Sequence, residues 1–286
     1  MSNVINRKEY IKNRLKEHYD RATSLGYEVF CIVVQGSQNY NMDIYTDEYQ
    51  SDIDTRCIVL PKFDDFVRRE ENISFPYEFP ENKEHIDIKD LENYIQLWKK
   101  GNIQFLEILF SDFYYVPDKY KDAWELIRSR AEEIVSNHKS SLYNAIAGMA
   151  MEKYKALDHP YPTIKHKIDK FGYDPKQAHH ILRLYNFIDR YSSGESFKNC
   201  LVPQDCIIDY LIELKKHGHH IPVDKIKSMC KQWCDRINEL KKKLISELDK
   251  SINNSEEIDN WLDNIRLNII KNRFKEELLY HNDNNK

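Results

Sequence analysis

Glycine is scarce in this chain, seven in 286 residues, so a glycine at the end of an apolar run marks a place where the backbone needs freedom from a side chain. Long apolar runs are missing too. No window reaches the ~18 consecutive apolar residues of a membrane span. The opening MSNVINRKEY has no apolar stretch of a secretory signal, so a cytoplasmic protein with no membrane association is expected. The six cysteines, at 31, 57, 200, 206, 230 and 234, are too scattered for a disulfide framework, and buried free thiols are expected instead. A strong charge of either sign is also absent. A formal net charge of -4 excludes a chain that coats nucleic acid through bulk positive charge, yet leaves room for a local cationic site.

What is present is ordinary globular material, 41% hydrophobic and 31% charged, enough for two modest domains or one large one. Residues 5–24 place Ile5, Tyr10, Ile11, Leu15, Tyr19 and Ala22 at helical spacing, with Gly26 as the C-terminal cap. YEVFCIVVQ (27–35) and DIDTRCIVL (52–60) read as buried strands, the second stopped by Pro61. EHIDIKD alternates polar and apolar residues, as a third strand with one face on the core would, and leads into the helical pattern LENYIQLWKKGNIQFLEILF. After Pro117 helical periodicity dominates, with helices expected near 119–136, 139–157, 175–192, 203–216, 223–250 and 256–279, a loop over 157–175 and a frayed tail from 280. Two domains are therefore expected, 1–117 and 118–286.

The first two strands flank VVQGSQNYNMDIYTDEYQSDIDTR (33–56). On a strand, residues i and i+2 share a face about 7 Å apart, so Asp52 and Asp54 project together while Ile53 turns into the core. Two carboxylates in one small volume repel each other, and a hard cation with a preference for oxygen ligands is the usual remedy. Gly36 and Ser37 stand where a strand gives way to a turn, where backbone N–H groups and a small hydroxyl suit phosphate. Together they form a layout for a metal-bound triphosphate. Asp87 completes it if its strand lies beside 52–60, three carboxylates then holding two Mg²⁺ or Mn²⁺ ions, with Asp87 nearest the nucleophile. Parity favours Asp87 over Glu84 and Asp90, which lie at odd offsets. Each part also has a plainer explanation: a surface Asp-x-Asp, Gly36 as a turn residue, Ser37 as a helix cap. Arg56 shares the parity of the acidic pair and has three readings: it orients a carboxylate, touches phosphate or forms a salt bridge.

The strand, Gly-Ser, Asp-x-Asp order resembles the DNA polymerase β superfamily of nucleotidyltransferases. GSQNY, SDIDTR, LWKKGNIQFLEILF and GYDPKQAHHILRLYNFIDRYSSGE resemble successive blocks of an uncharacterised bacterial and phage family related to polymerase-β-type proteins of RNA repair operons. Asn41 stands where relatives usually have glycine, and Asn tolerates φ > 0 nearly as well; Cys57 also replaces a glycine. The resemblance implies an α+β fold, a small mixed sheet with flanking helices, followed by an all-helical C-terminal domain closing over the nucleotide. Lys176, His180 and Arg183 then gain a role, since i, i+4 and i+7 share one face of a helix that begins at Pro175. Between His159 and Arg183 there are five Lys/Arg and four His against two Asp, so this face is a candidate for cationic contacts to phosphate. Pairing of His180 and Arg183 with carboxylates such as Asp174 is the structural alternative.

Other signals are weaker. His217, His219 and His220 before Cys230 and Cys234 invite zinc, but the two cysteines fit the apolar stripe of a helix better. Among the 19 tyrosines, Tyr40 and Tyr173 are candidates for base stacking, whereas Trp98 and Phe105 are expected in the core. The expected activity is transfer of a nucleoside monophosphate from an NTP to a hydroxyl, with an RNA 3′ end as the favoured acceptor and release of pyrophosphate. The alternatives are a non-catalytic nucleotide or RNA sensor on the same fold, and a toxin or defence enzyme that modifies tRNA or protein.

Overall fold

The computed structural model describes residues 6–45, 50–68, 73–248 and 255–284. The chain divides into two compact units. One comprises Met1–Lys100, Gln104–Asn137 and Asn254–Lys286; the other comprises Gly101–Ile103 and His138–Asn253. The helical residues 118–137 thus group with the sheet, where apolar residues such as Trp124 pack directly on a strand residue, Phe30.

In the first unit, β1 (Glu28–Gln35), β2 (Asp54–Leu60), β3 (Ser74–Glu78), β4 (His85–Asp90) and β5 (Tyr114–Tyr115) form one mixed sheet in the order β3-β4-β2-β1-β5. The pair β2 and β4 is parallel; the other neighbours are antiparallel. Helix α1 (Arg7–Ser24) turns Ile11, Leu15, His18 and Ala22 inward at heptad-like spacing. These side chains meet Ile32, Val34, Cys57, Val59, Ile86 and Ile88, which share the facing side of the sheet. Gly26, at φ 87°, follows the end of α1. Ile5, assigned to the same stripe, lies outside the described residues.

The remaining helices of this unit are α2 (Phe63–Arg68), α3 (Leu91–Lys99), α4 (Ile103–Leu106), whose first residue groups with the second unit, α5 (Lys121–Ser129) and α6 (Ala131–Asn137). The expected helix over LENYIQLWKKGNIQFLEILF is broken after Lys99. Gly101 adopts φ 64°, and a Cβ there would collide with the Leu142 backbone, so only glycine fits. The expected helix 119–136 is likewise split, at Arg130. Two strands lie outside the expected set: β5 is two residues long, and β3 alternates Phe75 and Tyr77 with polar residues but carries Pro76, which an edge strand tolerates.

The second unit comprises α7 (Lys139–Ala156), α8 (Lys165–Phe171), α9 (Pro175–Ser192), α10 (Phe197–Leu201), α11 (Asp205–His217) and α12 (Val223–Leu248). The first unit is completed by α13 (Ser255–Asn284), which carries helical structure into the tail expected to fray. The expected 157–175 loop holds α8, and the last two residues of the expected 223–250 helix lie outside the described residues. Asp174 caps α9 by accepting from the Lys176 N–H (3.3 Å), with Pro175 in the first turn. Five of the six cysteines are buried and all are free. No helix among the described residues is long and apolar enough to cross a membrane.

Candidate active site

The site begins where β1 ends. Gln35 lies opposite Asp54 across the antiparallel β1–β2 pair, so the turn that starts at Gly36 stands beside the first residue of β2. Gly36 has φ 88° and ψ −141°, a conformation open essentially to glycine alone, although a Cβ would meet nothing within 4 Å. Here conformation demands the glycine; space does not. Residues 37–40 form one 3₁₀ turn, closed by Asn41 at φ 56° and ψ 31°, the left-handed state that asparagine supports in place of glycine.

Several side chains pin this turn. Gln38 is buried, and its Nε2 donates to the Asp52 carbonyl (2.8 Å), which ties the Gly-Ser turn to the start of the acidic segment. The Asn39 Nδ2 donates to the Val34 carbonyl (2.8 Å). Glu107 is buried, and its carboxylate accepts the Gly36 N–H (3.0 Å) and the Tyr40 hydroxyl. The Gly36 N–H expected to face phosphate is therefore committed to a carboxylate. Tyr40, a candidate base-stacking residue, is enclosed in the same arrangement, and Tyr173 is buried with its hydroxyl donating to the Ile221 carbonyl (2.9 Å).

Strand β2 begins at Asp54, so Asp52 precedes the ladder and is exposed, while Ile53 is fully buried. The parallel register sets Thr55 against Ile86 and Arg56 against Asp87. Asp54, Arg56, His85, Asp87 and Lys89 consequently share the face opposite α1. Asp54 and Asp87 keep 30% and 19% of their side-chain surface exposed, and each already has a basic side chain beside it. His85 Nδ1 lies 2.8 Å from Asp54 Oδ1, and the His85 N–H donates to the same oxygen (3.1 Å). The hydrogen bond to Asp54 raises the His85 pKa above its ordinary value against the opposing effect of burial, and the charges of Asp54 and Asp87 add to the rise. Asp87 is held by Arg56 and by Lys89 (2.8 Å). Arg56 lies over the Phe105 ring, 3.7 Å from its centroid, and among the described residues its buried Nε has no hydrogen-bond partner.

Of the three readings for Arg56, the structure thus shows the salt bridge to Asp87. The other two acidic candidates are placed differently. Glu84 is buried on the α1 side of the sheet and Asp90 caps α3, accepting from the Asn93 N–H (2.7 Å) and the Ile73 N–H (3.1 Å). Asp52 and Asp54 offer oxygen donors that suit a hard divalent cation, one exposed and one half-exposed. Among the described residues no three His, Cys, Asp or Glu side chains are gathered closely enough to hold a metal. That statement includes the His217–His220 and Cys230/Cys234 region, where both cysteines are buried in α12.

The chain matches the family described as RlaP, RNA repair pathway DNA polymerase beta family, over residues 8–264. It belongs to that family. No curated protein matches the chain. Among solved structures it is similar to a nucleotidyltransferase-like protein from Exiguobacterium sibiricum, at 7% identity and a TM-score of 0.30, over 82% of this chain and 75% of the other.

The cationic residues proposed from spacing lie on α9. Lys176 is exposed and Arg183 is buried. His180 is partly buried, and burial, with His179, Arg183, Lys176 and Lys153 around it, pushes its pKa well below the ordinary value. His180 is therefore a neutral imidazole rather than the cation that the spacing suggested. Its neighbour His179 is pushed down to about 3 by burial, and its Nδ1–H donates to the Leu211 carbonyl (2.8 Å). Asp174 pairs with Lys167 (3.5 Å) and caps the helix.

Sequence reasoning missed His18 and Glu107 as parts of the site, and weighed Glu84 only as an alternative ligand to Asp87. Two of them left a signal. His18 is in phase with Ile11, Leu15 and Ala22, and Glu84 with Ile86 and Ile88, so both are polar residues on core-facing parity.

Proposed function

We propose that this protein is a metal-dependent nucleotidyltransferase that moves a nucleoside monophosphate from an NTP to a hydroxyl group. The observation that carries the reading is the single face shared by Asp54 and Asp87, beside the Gly36–Ser37 turn. The acceptor oxygen forms a bond to the α-phosphorus, the bond from that phosphorus to the bridging oxygen breaks, and pyrophosphate leaves. Asp52 and Asp54 would hold a divalent cation, Mg²⁺ or Mn²⁺, and Asp87 is the proposed third carboxylate, nearest the acceptor and able to take its proton. Such cations neutralise the phosphates and favour ionisation of the attacking hydroxyl. For Asp87 to act in this way, Arg56 and Lys89 must release it, and both are then available to the departing charge. Ser37 is assigned to the donor phosphates; in the second unit Lys176 and Arg183, with His180 as a neutral donor, are proposed as phosphate contacts in their own right.

The family supports RNA as the acceptor, and a 3′ end supplies the required hydroxyl; a cytoplasmic location is part of the same reading. One observation favours a second reading, a nucleotide or RNA sensor without turnover. Asp87 is already neutralised by protein cations, as a site that binds without metal would require.

Incubation with each labelled NTP, Mg²⁺, and total RNA, protein or no acceptor separates the two. Label in the RNA fraction with release of pyrophosphate, lost in Asp54→Ala, supports the enzyme. NTP binding without label transfer to any acceptor replaces it with the sensor.

A further inference from the structure

The closed side of the β2–β4 pair carries a buried polar group that nothing in the chemistry above uses. Glu84 is 3% exposed and His18 fully buried, on a face otherwise lined by Ile86, Ile88, Cys57 and Val59. Glu84 Oε1 accepts the Ile53 N–H (3.1 Å). Its Oε2 accepts from Arg14 Nε (2.8 Å) and lies 3.1 Å from His18 Nε2. An ionised carboxylate cannot donate, so His18 Nε2 carries the proton. His18 Nδ1 faces the Thr55 hydroxyl at 2.9 Å, and its ring stacks on Phe79 with centroids 4.5 Å apart.

We propose that Glu84, braced by Arg14 and His18, is the positioning residue of the acidic pair, fixing the Ile53 amide before Asp54 while His18 holds the Thr55 side chain after it, both from the closed face of the sheet. The inference rests on the metal reading of Asp52 and Asp54. Ile53 lies between the two aspartates, and its amide is the donor Glu84 takes; Thr55 follows Asp54, and its hydroxyl is the group His18 meets. The next residue along β4 acts from the other side, because the His85 N–H donates to the Asp54 carboxylate itself. The Glu84-His85 dipeptide thus grips the start of β2 from both faces, as alternation of side chains along a strand allows. Burial alone would raise the Glu84 pKa. Hydrogen bonds from His18, Arg14 and the Ile53 amide outweigh it, and the carboxyl ends below its ordinary value, ionised at neutral pH. An ionised group is not needed merely to fill this volume, since apolar replacements of buried ion pairs are often as stable. Holding the Ile53 amide in one orientation needs an acceptor that is itself fixed, and Arg14 and His18 fix the Glu84 carboxylate.

The test is Mn²⁺ binding to the full chain, followed by relaxation of water protons, together with kcat and KM for a labelled NTP and exchange of the Ile53 amide, all well below each thermal midpoint. Glu84→Gln retains shape but turns an NH₂ toward Arg14 and His18. It is expected to weaken Mn²⁺ affinity by about 10- to 100-fold, as loss of groups that orient metal ligands does, and to lower kcat more than it raises KM, with faster exchange at Ile53. Thr55→Val, which removes the His18 contact without stranding a charge, is expected to shift both in the same direction by a smaller factor. Folded Glu84→Gln with wild-type Mn²⁺ affinity and kcat overturns the proposal. Should Glu84→Gln not fold, unchanged Mn²⁺ affinity in Thr55→Val overturns it instead. A wild-type chain that holds no Mn²⁺, or an Asp54→Ala chain that holds it equally well, overturns the metal reading, and this inference falls with it.

Discussion

The two faces of the β2–β4 pair carry the same chemical groups and do different things with them. On the open face, Asp54 and Asp87 remain 30% and 19% exposed, and His85 and Lys89 reach them beside solvent while the buried Arg56 reaches Asp87 from within. On the closed face, Glu84 is 3% exposed and meets Arg14, His18 and a backbone amide in the core. Dielectric surroundings decide the outcome. A half-exposed ion pair contributes little to stability and is exchanged for a ligand at little loss, whereas a buried carboxylate deprived of partners is severely penalised. The open face is suited to binding and the closed face to holding it in place.

The comparison can be broken most directly at Asp54. Asp54→Ala is expected to abolish transfer of label from NTP while leaving the thermal midpoint close to wild type, and retained transfer would remove the open face from the chemistry. On the closed face Glu84→Ala is expected to destabilise the fold by about 3–5 kcal/mol in urea titrations, because Arg14, His18 and the Ile53 amide are all left buried without their acceptor. The same carboxylate sets a pH dependence. Its folded pKa is depressed, so its contribution is complete above the unfolded glutamate value of about 4.3 and is lost as pH falls through the folded one. A urea midpoint that falls more steeply below that pH in wild type than in Glu84→Gln is the expected result.

Smaller effects are expected at Gly36 and Lys176. Gly36→Ala is expected to cost about 1–3 kcal/mol through backbone strain alone, since the added methyl meets no atom; a neutral result in thermal melts would mean that the turn relaxes. Lys176→Ala is expected to leave stability within about 0.5 kcal/mol, because the side chain is exposed. If it contacts phosphate, NTP affinity falls by about 1–3 kcal/mol in the same variant, and unchanged affinity would confine phosphate recognition to other groups.

The elements that held from sequence were those whose periodicity reports burial directly. The strand expected at 27–35 is Glu28–Gln35, and the helix expected at 175–192 has those same bounds, capped by Asp174. The helices that broke did so at Gly101 and Arg130, inside patterns that stay apolar on either side, so periodicity had nothing to signal the break. Strand β3 alternates in burial but has Pro76 at its centre, which speaks against a strand in sequence, and β5 is two residues long, too short to leave a pattern. Gly36 was legible as a turn residue because few residue types suit a positive φ, and its place beside Asp54 follows from the strand-turn-strand frame. The partners of those groups were not legible, since Glu107 reaches Gly36 from 71 residues away and Glu84 reaches Ile53 from 31.

By itself the sequence determined the strand-turn-strand frame, the order of the acidic residues and their parity, because alternation along a strand is a local property of covalent geometry. Only the tertiary structure decided which cation faces which carboxylate and which amide each buried glutamate holds. Those choices depend on sheet order and register, which bring distant residues within hydrogen-bonding reach and withdraw the water that would otherwise have served them.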